Sequence, residues 1–160
     1  MFKEIERLTS EFEPQAEKRK KINALRFARN HHQIRSAFAE EKIEVVIHPD
    51  FPGSGDYLQW NDRVFFEFTG LLESGVIFDS SDYHMVHPAQ AFLDDRMLLC
   101  LEIAFKRLKE GSKARITCPS STAYGYYGRG NCVPSEATIV YYMDIIAVNP
   151  DNVAEILYNG

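Results

Sequence analysis

The residues with the clearest chemical potential lie in the stretch GVIFDSS, where Asp79 directly follows Phe78 at the end of an apolar run. A carboxylate beside an aromatic ring can act electrostatically on a bound polar group when both face a cleft that excludes water. The same carboxylate can instead cap the turn before Ser80 and Ser81 through short-range hydrogen bonds to the backbone. The residues alone leave these two roles open.

The serine and histidine residues do not form a recognisable hydrolytic or metal site. The serines lack the strand–turn–helix context of an activated nucleophile. His31 and His32 are adjacent within a predicted helix, so they do not share a helix face. A metal site at His84 and His87, which are close to Asp79 in sequence, is the less favoured interpretation. We therefore expect neither a metal ion nor a cofactor.

Three further motifs have structural explanations. The glycine-rich run GYYGRG (125–130) leads into Pro134 and a strand pattern, whereas a phosphate-binding loop opens a helix. Asp94 and Asp95 stand at the start of a predicted helix and are interpreted as capping acids. The run KRKK (18–21) is interpreted as a solvated helix face in preference to a nucleic-acid signal. We expect no nucleic-acid partner.

Composition indicates a globular protein. The 160 residues are 45% hydrophobic and 12% aromatic, which suits one packed domain with an extension. No apolar run is long enough to span a membrane, and the N-terminus has no apolar leader. We expect a cytoplasmic protein, with a nuclear location as the alternative. The three cysteines show no CxxC spacing, so we expect reduced thiols, with Cys100 and Cys118 in apolar surroundings.

Residues 1–42 are predicted to form an N-terminal helical extension. Phe2, Ile5, Leu8 and Phe12 recur at helical spacing, and a second helical pattern runs from Gln15 to residue 42. This part is basic, with ten Lys/Arg and seven Asp/Glu, whereas residues 43–160 hold eight and sixteen. An amphipathic helix of this kind is marginal in water unless its apolar stripe is buried. We expect it to pack on its own domain, on a second copy in a homodimer, or on a partner protein.

From residue 43 the pattern changes to strands. IEVVI is rich in β-branched residues and is followed by a predicted loop, HPDFPGSGD. RVFFEFTGLL predicts a strand with Val64, Phe66 and Phe68 on one face. The turn ESG then predicts a hairpin with VIFDSS.

The rest of the chain predicts one helix between strands. Residues 82–94 are predicted to be irregular, and DDRMLLCLEIAFKRLKEGS is predicted to be a helix that Asp94 or Asp95 caps and Gly111 ends. KARITCP and ATIVYYMDIIAV predict strands. The fold class is therefore α+β, with an antiparallel sheet, and residues 150–160 are a short C-terminal tail.

Three blocks of the sequence resemble the FKBP-type peptidyl-prolyl cis-trans isomerases. FFEFTGLLESGVIFDSS resembles the family pattern VHYTGxLxDGxxFDSS, LKEGSKARITCPSSTAYGYYG resembles MxxGxxAxLxxPxxxAYGxxG, and VPSEATIVYYMDI resembles IPPxATLxFxVEL. The resemblance covers residues 43–149. It implies a twisted antiparallel β-sheet wrapped around a short α-helix, with a shallow apolar site between them.

The resemblance also implies which residues form the site. The expected catalytic residues are Phe78, Asp79 and Tyr124. The expected substrate-binding residues are Phe68, Met97, Leu98, Leu101, Val133 and Tyr141. Two of these depart from the family, since Phe68 stands where a tyrosine is usual and Leu101 where a tryptophan is common.

The resemblance implies a peptidyl-prolyl isomerase that acts on proline-containing peptides or proteins as a folding helper, with a macrolide as a further ligand. The alternative is a catalytically weak binding module that recruits partners through residues 1–42. Phe68 and Leu101 favour the module, whereas Phe78, Asp79, Tyr124 and Tyr141 favour the enzyme.

Overall fold

The computed structural model of the chain describes residues 37–159. The predicted N-terminal helical extension therefore lies outside the described residues as far as position 36. Residues 37–40 are helical, and a turn at 41–42 leads into the first strand. Within the described residues, no helix combines the length and the apolar character needed to cross a bilayer.

Besides the helical residues 37–40, the described residues form one antiparallel sheet with two short helices. The sheet order is β1–β5–β6–β2–β3, and β4 also pairs with β2. The strands are β1 (Glu44–Tyr57), β2 (Arg63–Leu72), β3 (Ile77–Ser80), β4 (Ala89–Phe92), β5 (Lys109–Cys118) and β6 (Ile139–Val148). The helices are α1 (Leu99–Phe105) and α2 (Val153–Asn159), and single 3₁₀ turns lie at Ser81–Tyr83 and Ser120–Thr122. This arrangement confirms the predicted α+β class with an antiparallel sheet and a short helix.

The core lies between one face of the sheet and α1. Alternate residues of β6 are buried, beginning with Ile139 and Tyr141, and Val64 and Phe66 of β2 face the same way. The ring centroids of Phe66 and Phe105 are 5.3 Å apart, which joins the sheet to the helix. The alternation predicted for β6 is confirmed, since period-two burial is what a sheet with one covered face requires. In β2, Val64, Phe66 and Phe68 belong to the core cluster or pack against it as predicted, but burial does not alternate, because Phe65 is buried as well.

The first strand is longer than predicted. The segment 48–56 was expected to be a loop, but it continues β1 through register shifts between Ile47 and Pro52 and between Ser54 and Tyr57. Bulges of this kind let proline and glycine remain in a paired strand. Gly53 has a φ of 80°, and a Cβ there would lie 2.8 Å from the Cβ of Lys109.

The helix is shorter than predicted. It begins after Leu98 without a side-chain cap, and Lys109 already belongs to β5. The capping role predicted for Asp94 or Asp95 is wrong for this helix. Asp94 instead accepts hydrogen bonds from the Arg96 backbone N–H at 2.9 Å and from its guanidinium group, and the side-chain bond lowers the pKa of the Asp94 carboxyl. Pairing with β1 outweighs the helical charge pattern of residues 106–111.

Cys100 and Cys118 form a disulfide with an S–S distance of 2.04 Å. Both are fully buried, so the expected apolar surroundings are confirmed, whereas the expected reduced state is wrong. The pair is separated by 18 positions in the sequence, and the packing of α1 on β5 brings the two residues together. Cys132 is free and exposed.

Two regions for which no helix or strand was predicted contain short elements. Within residues 82–94, β4 adds to the edge of β2 with Arg63 opposite Phe92 and Phe66 opposite Ala89. Within the predicted tail 150–160, α2 covers Val153–Asn159. Neither run is long enough to show a clear periodicity in the sequence.

Candidate active site

Three rings from different parts of the sequence form an aromatic wall. Phe78 comes from β3, Tyr124 from the loop between β5 and β6, and Tyr141 from β6. The ring centroid of Phe78 lies 6.2 Å from that of Tyr124 and 5.8 Å from that of Tyr141, both in edge-on geometry. Phe68 extends the wall with its centroid 6.1 Å from that of Tyr141. Edge-to-face pairs at these distances are stabilising.

Gly70 makes room for this wall. It lies opposite Asp79 on β3 and opposite Tyr141 on β6. A Cβ at position 70 would lie 2.7 Å from Cζ of Phe78 and 3.0 Å from Cε1 of Tyr141. Glycine is therefore required here because the two rings pack directly on the backbone of β2.

The Asp79 carboxylate lies at the edge of the wall, with both oxygens engaged. Oδ1 accepts from the Ser80 backbone N–H at 2.8 Å and lies 3.4 Å from His84 Nε2. Oδ2 accepts from Arg129 Nη1 at 3.2 Å. The side chain is mostly covered, with an exposed fraction of 21%. A charge-assisted pair fixes the direction of a carboxylate more firmly than neutral hydrogen bonds do.

Asp79 was considered either as an electrostatic group at the site or as a cap of the turn that follows it, and the serines make most of the turn's hydrogen bonds. Ser80 Oγ caps the 3₁₀ turn by accepting from the Asp82 N–H at 3.2 Å. Ser81 Oγ bonds the backbone of Phe68, accepting from its N–H at 3.1 Å. Asp79 contributes one short-range bond to the turn, and its other oxygen remains directed toward Arg129. Its catalytic role stays a prediction.

The Tyr141 hydroxyl introduces a polar group into the wall. The residue is only 4% exposed. Burial raises the pKa of the hydroxyl far above its ordinary value, and the neighbouring Tyr124 hydroxyl and Asp79 carboxylate raise it further. Tyr141 is therefore a neutral hydrogen-bonding group throughout the physiological pH range, whereas the sequence suggested only an apolar ring.

The apolar and aromatic residues predicted for the site all belong to the core cluster or pack against it. Phe78, Val133 and Tyr141 are buried within that cluster. The residues that are partly buried against it are Phe68, Met97, Leu98, Leu101 and Tyr124. Partial burial suits residues that line a shallow site, but their contact with substrate stays a prediction.

Two residues beside Asp79 were not predicted for this site. Arg129 pairs with it across 50 positions of sequence, and no local pattern signals that contact. His84 was considered only as a metal ligand. Within the part of the chain that the structure describes, no three His, Cys, Asp or Glu side chains are grouped so as to hold a metal ion. His84 instead faces the carboxylate of Asp79.

A separate cavity of about 490 Å³ lies on the outer face of the sheet. Its lining includes Val46, Tyr142 and Asp144, and a Lys113–Asp144 ion pair at 3.6 Å lies beside them. None of Phe78, Asp79, Tyr124 and Tyr141 lines it. Phe68, which extends the aromatic wall, does line it, so the cavity borders the wall at that ring.

Comparison with known proteins agrees with the geometry. The family model for FKBP-type peptidyl-prolyl cis-trans isomerase matches residues 55–146. A probable FKBP-type 25 kDa peptidyl-prolyl cis-trans isomerase from Pseudomonas aeruginosa is 29% identical over 94 residues, which are 59% of this chain and 39% of that protein. FK506-binding protein 1 from Saccharomyces cerevisiae is 32% identical over 100 residues, which are 61% of this chain and 87% of that protein.

A solved structure shows the same fold. The crystal structure of a peptidyl-prolyl cis-trans isomerase from Pseudomonas syringae pv. tomato superposes with a TM-score of 0.61 and 25% identity, covering 76% of this chain and 92% of the other. The family-model match falls within the region that carries the sequence resemblance, and these comparisons confirm the resemblance. The chain spans about two fifths of the length of the P. aeruginosa relative.

Proposed function

The chain belongs to the FKBP-type peptidyl-prolyl cis-trans isomerase family, whose model covers more than half of it, and we propose that it catalyses rotation about X–Pro peptide bonds. The observation that carries this proposal is the Asp79 carboxylate set against the wall formed by Phe78, Tyr124 and Tyr141. A binding module with weak catalysis remains the alternative, but the isomerase names of the relatives do not favour it.

The reaction needs no covalent intermediate. Resonance holds the amide planar with a barrier of about 18–20 kcal/mol, and uncatalysed exchange of an X–Pro bond takes tens of seconds or longer. At the twisted transition state this resonance is lost, so the carbonyl oxygen carries less negative charge and the nitrogen becomes a pyramidal amine. That state is less polar than the planar one. An apolar, aromatic site therefore raises the free energy of the planar state more than that of the twisted state.

The aromatic wall and the polar groups around it have different tasks in this mechanism. Phe78, Tyr141 and Leu101 enclose the proline ring and exclude water. The Tyr124 hydroxyl donates a hydrogen bond to a substrate carbonyl and holds the chain in register. Asp79 acts electrostatically on the twisting amide and orients the nearby donors, in line with its charge-assisted contact to Arg129.

We propose two classes of ligand for this site. The substrates are proline-containing segments of peptides or proteins. The yeast relative is an FK506-binding protein, and this supports a macrolide as a second, competing ligand. Competition between a macrolide and a proline peptide is the expected behaviour if both occupy the aromatic wall.

Residues 1–42 are suited to binding another protein and not to catalysis. We propose that their apolar stripe binds a second copy of the chain or a client protein. Binding of a client protein would make this protein a folding helper. Light scattering on the full chain and on residues 43–160 measures the first possibility, and we expect a larger mass per particle for the full chain. The predicted cytoplasmic location stays a proposal, and the Cys100–Cys118 disulfide, a bond rare in the cytosol, weighs against it.

An NMR exchange assay on a short X–Pro peptide tests the proposed activity. We expect the wild-type protein to accelerate exchange and Asp79→Ala to lower kcat/KM about tenfold, the equivalent of one charge-assisted interaction. Asp144→Ala is the control, since this residue is also a partly covered acid with a cationic partner but lies on the outer face. A wild-type protein that binds the peptide without accelerating exchange would support the binding module instead.

A further inference from the structure

Arg129 reaches two of the predicted catalytic residues at once. Its Nη1 donates to Asp79 Oδ2 at 3.2 Å. Its guanidinium carbon lies 5.8 Å from the centroid of the Tyr124 ring. A cation within about 6 Å of a ring face is attracted to it electrostatically. One side chain thus joins the carboxylate on the β2–β3 hairpin to the tyrosine on the β5–β6 loop.

The backbone around Arg129 is held in a tight turn. Its N–H donates to the Val133 carbonyl at 2.9 Å, and its carbonyl accepts from the Val133 N–H at 3.1 Å. Gly128 precedes it with a φ of 64°, and a Cβ at that position would collide with the Val133 carbonyl oxygen. Val133 itself is buried in the core. Because the turn is anchored, the start of the Arg129 side chain has a defined position from which it reaches Asp79.

The pair between Arg129 and Asp79 is poorly suited to stabilise the fold. The Arg129 side chain is 46% exposed. Ion pairs at such positions contribute about 0–1 kcal/mol, because water screens them and ordering two side chains costs entropy. The pair has a geometric consequence instead. The Ser80 N–H and His84 approach Oδ1, whereas Arg129 approaches Oδ2. Arg129 thereby sets the rotation of the carboxylate about its last bond.

We propose that Arg129 is a positioning residue for isomerisation, which orients the Asp79 carboxylate and holds the Tyr124 ring beside it. The proposal rests on the proposed function. In the family that the sequence resembles a tyrosine is usual at position 68, but Phe68 has no hydroxyl to offer the carboxylate. In this chain the partner comes from the β5–β6 loop, so the loop and the hairpin act as one unit at the site.

The test compares arginine variants of the full-length chain in the X–Pro exchange assay. Arg129→Gln removes the charge and should lower kcat/KM about tenfold, which corresponds to one hydrogen bond to a charged group. Arg129→Lys keeps the charge and should recover part of the loss. Arg115→Gln is the matched control, because Arg115 is 48% exposed and pairs with Glu44 at 3.4 Å. It should stay within about twofold of wild type, and the melting temperatures of the two glutamine variants should change equally little.

A double-mutant cycle separates positioning from a general effect on the loop. If Arg129 acts through the carboxylate, Arg129→Gln should change kcat/KM by less than about twofold when Asp79 is already Asn, because coupled residues are not additive. A further tenfold loss in the Asp79→Asn background would show that Arg129 acts independently of the carboxylate and would overturn the proposal. Wild-type activity in Arg129→Gln alone would overturn it as well.

The outcome for the wild-type protein distinguishes this proposal from the proposed function. If the wild type accelerates exchange and Arg129→Gln accelerates it equally, the proposed activity stands and the positioning role is wrong. If the wild type binds the peptide without catalysis, the same cycle is measured on the Kd, and a coupled loss of binding supports the orienting role of Arg129. If the wild type neither binds nor catalyses, both proposals are wrong.

Discussion

Two neighbouring tyrosines on β6 belong to regions with opposite properties. Tyr141 is 4% exposed and packs edge-on against Phe78, whereas Tyr142 is 54% exposed and lines the cavity on the outer side of the sheet. Both regions contain aromatic rings, acids and cations. They differ in solvent exposure, because the inner face is covered by the helix and the loops while the outer face is solvated.

This difference shows why similar residues have different consequences on the two faces. On the outer face, Asp144, also a partly covered acid, pairs with Lys113 at 3.6 Å beside the exposed ring of Tyr142. On the inner face, Asp79 lies against buried rings and is held by Arg129. Electrostatic effects on a bound amide are larger where water is excluded. We therefore expect the chemistry of the proposed site to depend on which face of the sheet a residue occupies.

The strongest test of the comparison replaces each tyrosine in turn. Tyr141→Ala should lower the free energy of unfolding by about 3–5 kcal/mol, as expected for a large buried side chain that leaves a cavity. Tyr142→Ala should change it by about 0.5 kcal/mol or less, as expected for a surface position. Urea denaturation of both variants measures this difference. Equal losses would show that both faces of β6 are packed alike.

Gly70 offers a sharper test of the inner face. Gly70→Ala should destabilise the fold by about 1–3 kcal/mol and lower isomerase activity, because the added methyl group overlaps the Phe78 and Tyr141 rings. Thr69→Ala is the neighbouring control, since Thr69 lines the outer cavity. Denaturation and the exchange assay together measure both effects. A Gly70→Ala variant with normal stability and activity would contradict the close ring packing.

A smaller effect is expected from the loop tyrosines. Tyr124→Phe should weaken binding of a proline peptide by about 0.5–1.5 kcal/mol, the net contribution of one hydrogen bond, with little change in stability. Tyr127→Phe is the control, because Tyr127 is on the same loop but almost fully exposed. Peptide titration by NMR measures the two dissociation constants. Unfolding of Tyr124→Phe with normal binding would make Tyr124 a core residue.

The smallest effect is expected from the outer ion pair. Asp144→Asn should lower the free energy of unfolding by about 0–1 kcal/mol at low salt. The loss should shrink as ionic strength rises, because exposed charges are screened over about 10 Å at 0.1 M salt. Denaturation at two salt concentrations measures it. A larger loss that salt does not reduce would mean that the outer face is less solvated than the comparison holds.

The sequence patterns that agree with the structure are those that lie within a single strand or a single turn. The two-residue spacing of Val64 and Phe66, and of Ile139 and Tyr141, predicts which side chains of each strand join the core cluster. The ESG turn predicts the β2–β3 hairpin. The GVIFDSS and AYG blocks identify the family and the positions of Phe78, Asp79 and Tyr124. Each of these signals needs only neighbouring residues, since side-chain direction alternates along a strand.

The contacts that tertiary structure decided join residues far apart in the chain. The helix α1 ends at Phe105 because residues from Lys109 onward pair with β1, and its packing on β5 brings Cys100 to Cys118. Arg129 meets Asp79 across 50 positions because the β5–β6 loop folds back over the hairpin. Local propensity and spacing carry no information about such distant neighbours, which the packing of the whole sheet determines.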